Sequence, residues 1–507
     1  MISLIENELK KIFSKKSIYI TLAITLVFII ACNIIYTVNE NNSYGYDLSD
    51  KIKYYEQQLE ALDVDDPEER SIYISYEVEL EISKLVQKYG DSSTWQAQVI
   101  YETGRNYIEN MVYAKYGEIS SNDMQNLSDQ VEQNSSEITD QEYLDKIEKE
   151  YQDFVAKLDA GDWQYFANEE LKQVNKNIEE QQQAKENTQD STVLSGIEDQ
   201  LYTFELQKQV LEWRLEKDIP YGYDYFNQCL DQYKVAKVTI RDYENSTTSQ
   251  QEDYNAKQEY YSALENAAIS QYDIEHKTTS GLSSDARGLL LNSCSQFELF
   301  IIIMIIMVAG AIVSEEFSKG TVKLLLIKPY KRTTILASKW ITCVIMLIII
   351  IVSIMLMQFV AGGIIQGFDK FGTPAVVYDH TTNQIQEINI ISYLVMQALG
   401  KLPIYIALMT LAFALSTIFT NTALAITIAL LGYMGAPFVN AIGLQFNLDW
   451  IRYFITPNWD FTQYFFGGLP AFEGITPIFS IVIVLIYMLV MLIPTFVVFK
   501  KKNIKNI

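Results

Sequence analysis

Apolar and polar positions divide this chain into six long apolar runs and one long polar insertion. The runs cover 17–38, 296–313, 340–360, 391–418, 422–440 and 475–499. At about 1.5 Å of rise per residue, roughly 20 apolar residues cross a hydrocarbon core of about 30 Å. The pattern therefore predicts six transmembrane helices. Ahead of the first run, Ile5, Leu9, Ile12 and Phe13 alternate with Lys10, Lys11, Lys15 and Lys16. That spacing predicts an amphipathic helix over 1–16 lying on the membrane surface. The run at 17–38 is longer than the apolar segment of a secretory signal and lacks a small-residue cleavage site, so it reads as a retained anchor.

Between the first two runs the period changes. Leu48, Ile52, Tyr55, Leu59 and Leu62, then Leu144, Ile147, Tyr151, Phe154 and Leu158, then Leu194, Ile197, Leu201, Phe204, Leu211 and Leu215 recur mostly at spacings of three and four. Such stripes are the mark of packed amphipathic helices. Pro67 and Pro220 fall where helices would have to turn. The expectation for 39–290 is a large α-helical, coiled-coil-like domain with polar connections near 63–69, 120–136, 181–192 and 245–251. The fold class is then an all-α membrane protein, with six spans and this domain inserted between the first two.

Charge gives the pattern an orientation. The net formal charge of −24 is an average over two materials: acidic residues outnumber basic ones by 30 across 39–295, and the remainder is basic by 6. Of the 17 Lys and Arg outside the acidic part, 14 lie in 1–16, 314–339 and the tail 500–507. Short basic segments are retained on the cytoplasmic side. Six spans then put both termini and the 314–339 loop inside, with the 39–290 domain, the 361–390 loop and the aromatic segment 441–474 outside. Four cysteines, with Cys229 alone well inside the acidic part, give no disulfide framework.

The 314–339 loop reads SEEFSKGTVKLLLIKPYKRTTILASK. It resembles the cytoplasmic signature of type-2 permeases of ABC exporters: glutamates, Gly-Thr, a Leu pair, Pro then Arg, and a Lys before the next span. Here these are Glu315, Glu316, Gly320, Thr321, Leu324, Leu325, Pro329, Arg332 and Lys339. Tyr330-Lys331 departs from the small residue more usual before Arg. The sodium-efflux-like subgroup also carries an external domain between its first two spans. The resemblance implies a coupling helix that docks on a separate ATPase subunit, present in two copies and holding ATP and Mg. It also implies a second permease subunit, identical or not, and a bacterial cell membrane as the location. The implied activity is export of an amphipathic or peptide substrate, with antimicrobial peptide export or immunity as a specific form. A mechanotransmitter acting on an envelope partner through the helical domain is the alternative. The plain reading of the same loop is a basic juxtamembrane segment held by anionic lipid.

Other chemistry is sparse. No GxxxxGK[ST] phosphate loop occurs, so ATP hydrolysis is expected of the partner and not of this chain. His276 and His380 lack neighbours at metal-ligand spacing, and no catalytic group stands out. Lys401, inside the fourth run, is either a residue of the transport pathway or an interfacial lysine where the span starts late. The segment DWIRYFITPNWDFTQYFFGG is either a re-entrant hairpin or an interfacial aromatic belt. The acidic insertion is a candidate attractor for a cationic peptide, against which stands a merely solvated helical surface. No nucleic-acid partner is expected.

Overall fold

The computed structural model describes residues 1–41, 48–118, 120, 141–281, 284–321 and 330–502. It is 79% helical. In chain order come α1 (Ile2–Phe13), α2 (Lys16–Asn41), α3 (Leu48–Ala61), α4 (Arg70–Lys88), α5 (Trp95–Val99) and, after one π turn (Ile100–Gly104), α6 (Arg105–Lys115). Then follow α7 (Gln141–Asp159), α8 (Trp163–Asn187), α9 (Ser191–Glu216), α10 (Tyr225–Asn245), α11 (Thr248–Gln251), α12 (Tyr254–His276), α13 (Ala286–Leu291) and α14 (Ser293–Gln296). The C-terminal half holds α15 (Glu298–Ala311), α16 (Ser314–Ser318), α17 (Arg332–Gln366), the strands β1 (Ala375–Asp379) and β2 (Gln384–Ile388), α18 (Ile390–Phe419), α19 (Thr422–Gln445) and α20 (Pro477–Lys501). Among the described residues, six segments are long and apolar enough to cross a membrane: Lys16–Val38, Glu298–Ser318, Arg332–Gln366, Ile390–Phe419, Thr422–Gln445 and Pro477–Lys501.

The chain forms two compact units, one of residues 1–38, 242–269 and 279–507 and one of 39–241 and 270–278. The insertion is therefore smaller than the expected 39–290. Residues 242–269 belong with the six spans: the Tyr254 hydroxyl and the Gln258 amide both donate to the Pro470 carbonyl, at 2.6 and 2.9 Å.

In the first unit, the second and fourth spans form the centre; 67% and 61% of their most apolar stretches are buried, against 17%, 17% and 11% for the first, fifth and sixth. Small residues permit this. A Cβ on Gly310 of α15 would stand 2.8 Å from Ile426 Cγ1 of α19, so only glycine lets these two helices approach so closely. Between α2 and α17, Asn33 and Gln358 exchange amide hydrogen bonds of 3.0 and 3.3 Å, both side chains fully buried. The same tightness recurs there, since a Cβ on Gly362 would meet Ala286 Cβ at 2.9 Å and Asn33 Oδ1 at 3.2 Å.

Several expectations are corrected. The fold is not wholly α: β1 and β2 pair antiparallel in the 361–390 loop. Asp379 makes that hairpin, accepting from the Thr381 amide and hydroxyl at 2.8 and 2.6 Å and from Gln386 at 2.6 Å, while Asn383 takes the left-handed conformation. Helix also continues past 313, where the loop was expected to begin. The chain bends at Ile312 and Val313 and resumes as α16, with Ser314 Oγ donating back to the Gly310 carbonyl at 2.7 Å. The third span, at 35 residues, is far longer than the expected 340–360. At roughly 1.5 Å per residue it overshoots a bilayer core by about 20 Å. Finally, 441–474 holds no re-entrant α-hairpin. After α19 it forms two 3₁₀ turns, Asp449–Tyr453 and Phe461–Gly467, tied by buried Asn458, whose amide donates to the Arg452 and Phe454 carbonyls at 2.7 Å.

All regular secondary structure among the second unit's described residues is helical. Its main core gathers Leu48, Ile52, Ile74, Val86, Ile108, Phe154, Leu158 and Phe166 from α3, α4, α6, α7 and the start of α8. Beyond it, α8 and α9 form an antiparallel hairpin packed through Val174, Ile178, Ile197, Leu201 and Leu211. The heptad positions thus mark real contacts. The connection expected at 181–192 shrinks to three residues because Asp190 caps α9 through the Thr192 amide at 2.8 Å. Most of the connection expected at 120–136 lies outside the described residues.

Candidate functional site

The site is built from the bottom of α15 and the top of α17, the two elements that frame the 314–339 loop. Lys339 sits one turn and more inside α17, its side chain 1% exposed. A bare ammonium there would be costly. It is instead paired: it donates to Glu8 Oε2 at 2.8 Å and to the Ile312 carbonyl at 3.1 Å, and it stands 2.9 Å from Glu316 Oε1 as an ion pair. Lys11 closes the group, reaching Glu8 at 3.0 Å and Glu316 at 2.9 Å. Two lysines and two glutamates balance in charge.

Glu8 is the member that sequence reasoning missed. The amphipathic face expected of α1 was Ile5, Leu9, Ile12 and Phe13, pointing into lipid. The face that packs is Leu4, Glu8 and Ile12, against Ile335, Lys339 and the main core, while Phe13 is exposed. An i, i+4, i+8 stripe with a carboxylate at its centre was visible; its partner 331 residues away was not.

Next to this group, Glu315 pairs with Lys15 at 2.7 Å and Lys319 at 3.1 Å. Gly320 then turns the chain with φ of +67°, its amide bonded to the Phe317 carbonyl at 3.2 Å, and an added Cβ would meet nothing. Such a backbone conformation is one that glycine adopts without strain. Thr321 Oγ1 reaches the Glu316 carbonyl at 3.4 Å. Leu324, Leu325 and Pro329 lie outside the described residues. Arg332 does not join the ion cluster. It donates to the Lys500 and Lys502 carbonyls at 3.2 and 2.9 Å, capping α20, and Lys502 in turn donates to the Thr417 and Ile418 carbonyls at 3.0 and 3.1 Å, capping α18. So the residues bracketing the loop tie α1, α15, α17, α18 and α20 together at one end of the bundle.

The titration of this seat has a definite sign. Burial pushes the Glu8 carboxyl up, but the Lys339 and Lys11 ammoniums outweigh it and hold it below its ordinary value of 4.5. A carboxyl lower in the folded than the unfolded chain adds stability above the unfolded value, which is lost as pH falls through the folded one. The melting temperature of the detergent-purified chain should therefore fall below about pH 4.5, and Glu8→Gln should flatten that acid limb. An unchanged limb in Glu8→Gln would show that the cluster is not the acid-sensitive element.

A second cluster lies at the other end of α15. Lys401 is not at the start of its helix: α18 begins at Ile390, so the lysine is two turns or more inside it. Its ammonium meets Glu298 at 2.9 Å and Asp460 at 2.7 Å, and Tyr433 donates to the second oxygen of Glu298 at 3.1 Å. Here one lysine faces two carboxylates. No group of three or more possible metal ligands occurs among the described residues.

Charged groups seated inside a bundle of apolar helices, together with the six spans, define a multi-pass membrane protein. Residues 267–505 match a family described as a protein of unknown function, DUF2705. Two proteins of Bacillus subtilis (strain 168) are similar. The uncharacterized protein YhcI is 29% identical over 247 residues, covering 48% of this chain and 76% of the relative. The uncharacterized membrane protein YdbK is 29% identical over 201 residues, covering 39% of this chain and 76% of the relative. No solved structure matches the chain.

Proposed function

We propose that the chain is the membrane-spanning permease subunit of an ABC exporter. It works with a second permease subunit and two ATPase subunits, which bind the ATP and Mg. Both termini and the 314–339 loop face the cytoplasm, and the acidic insertion stands outside. The substrate is amphipathic or a peptide, and the net charge of the insertion suits a cationic one.

The observation that carries this reading is the ion pairing of Glu316 with Lys339, one residue from each side of the loop. A push delivered to the loop by an ATPase subunit would act on α15 and α17 together and, through Glu8, on α1. A loop that served only to hold lipid would need no buried charge at its base. Leu324 and Leu325 are the apolar groups assigned to the ATPase cleft.

Purification of the tagged full chain, coexpressed with an ABC ATPase, tests the assignment. The ATPase should copurify, and Leu324→Asp should remove it without lowering the melting temperature of the permease. Retention of the ATPase by Leu324→Asp would overturn the coupling role. The α8/α9 hairpin favours a second reading, a mechanotransmitter that moves the insertion against an envelope partner. ATP-driven accumulation of a labelled cationic peptide in inverted vesicles separates the two, since only the exporter produces it.

A further inference from the structure

A cavity of about 140 Å³ opens beside the elbow between α1 and α2, distinct from the ion seat though next to it. Its apolar lining comes from α1, α2, α15, α17 and α19 and includes Ile18, Met304, Met307 and Ile426. Its polar lining is Lys15 and Glu315, paired at 2.7 Å, with Ser17, Thr21 and Thr422. A volume of that order holds a small hydrocarbon in an apolar cavity, so the apolar part of this one suits a stretch of alkyl chain.

The charge at the mouth selects what lies outside. Glu315 is shared between Lys15 and Lys319, and Lys16 is exposed on the first turn of α2. Three lysines against one glutamate leave an excess positive charge. The amide groups opening α2, a helix of 26 residues, add to it. An apolar pocket under a cationic rim, at the end of a transmembrane helix, is complementary to one kind of neighbour in a bilayer.

We infer that this cavity takes an acyl chain of an anionic phospholipid from the leaflet on the α1 side, with its phosphate at Lys15, Lys16 and Lys319. The lipid fills the gap that the elbow leaves between α1 and the second and fifth spans. It competes with Glu315 for Lys15 and Lys319, so its departure strengthens the ion pairs at the base of the loop. The inference depends on the chain's being in a membrane, not on its being a permease.

Native mass spectrometry of the detergent-purified full chain tests it, with phosphatidylglycerol and phosphatidylcholine of identical chains as probes. One phosphatidylglycerol per chain should be retained at a concentration at least about tenfold below that needed for phosphatidylcholine, as expected for two or more lysines near a phosphate. Lys15→Gln with Lys319→Gln should bring the two lipids level, and Met307→Trp should remove the tight site by filling it. Equal retention of both lipids by the unaltered chain would overturn the headgroup assignment; undiminished retention by Met307→Trp would overturn the cavity. A phosphatidylglycerol bearing a diazirine in its tail, applied to the unaltered chain, gives a reading that no variant's folding can obscure. Its crosslinks should concentrate in 300–311 and 422–428, and crosslinks spread evenly along α19 and α20 would sink the proposal.

Discussion

Lys339→Met is expected to be the most damaging single substitution in the membrane unit, costing about 3–5 kcal/mol, the range for removing one partner of a buried ion pair. The cost does not come from the lost attraction itself. It comes from what stays behind: Glu8 and Glu316, both nearly buried, facing one another with only the half-exposed Lys11 to offset them. The Ile312 carbonyl also loses its donor at the bend where α15 gives way to α16. For the unit's size this corresponds to a fall in melting temperature on the order of 10 °C. The companion variant makes the argument specific. Lys339→Met combined with Glu8→Gln and Glu316→Gln removes the charges together, and paired removal is often neutral. The triple variant should therefore be more stable than Lys339→Met alone, with a coupling of about 1–3 kcal/mol in the cycle. A Lys339→Met chain that melts within a degree or so of the unaltered one would mean that Lys339 is hydrated, and the seat would not exist as described. Under the proposed function, the triple variant should fold and leave its ATPase subunits hydrolysing ATP without export, because its loop is no longer ionically joined to α1, α15 and α17.

How far the sequence alone reached follows from the range over which each signal acts. The six spans and the α8/α9 hairpin were legible because periodicity and hydrophobicity are local: Ile197, Leu201 and Leu211 announce a buried stripe whatever they pack against. The ion seat was half legible. Glu315, Glu316 and Lys339 were singled out, but Glu8 reads like any other charge on a surface helix until Lys339 is placed beside it. The hairpin at 375–388 was missed because five-residue strands between two spans carry too little pattern to stand out from a polar loop. The start of α18 was placed well, whereas the burial of Lys401 was not, since its carboxylates come from 103 residues before and 59 after. Residues 242–269 look as acidic and helical as the rest of the insertion, so nothing in their own pattern assigned them to the membrane unit.

The Lys401 cluster should behave differently, and the order of its single substitutions is the test. Lys401→Gln leaves Glu298 and Asp460 facing each other beside α18 and is expected to cost about 2–4 kcal/mol, less than Lys339→Met because Asp460 is 35% exposed and water can reach it. Glu298→Gln should cost less, since Lys401 keeps Asp460 and Tyr433 can still donate to the amide oxygen. Asp460→Asn should be mildest, within about 1 kcal/mol, because asparagine can keep the cap on the 3₁₀ turn through the Thr462 amide. Melting temperatures of the three purified variants give the order directly. If Asp460→Asn proves as harmful as Lys401→Gln, the negative charge of Asp460 is itself required. Activity separates structure from pathway. Lys401→Arg preserves the charge and should restore stability; under the proposed function, if Lys401 only holds α15, α18 and the aromatic segment together, it should restore export as well. A Lys401→Arg chain that is stable yet altered in which charged peptides it exports would place this lysine on the substrate's route, because then the shape of the cation and not merely its charge decides what passes.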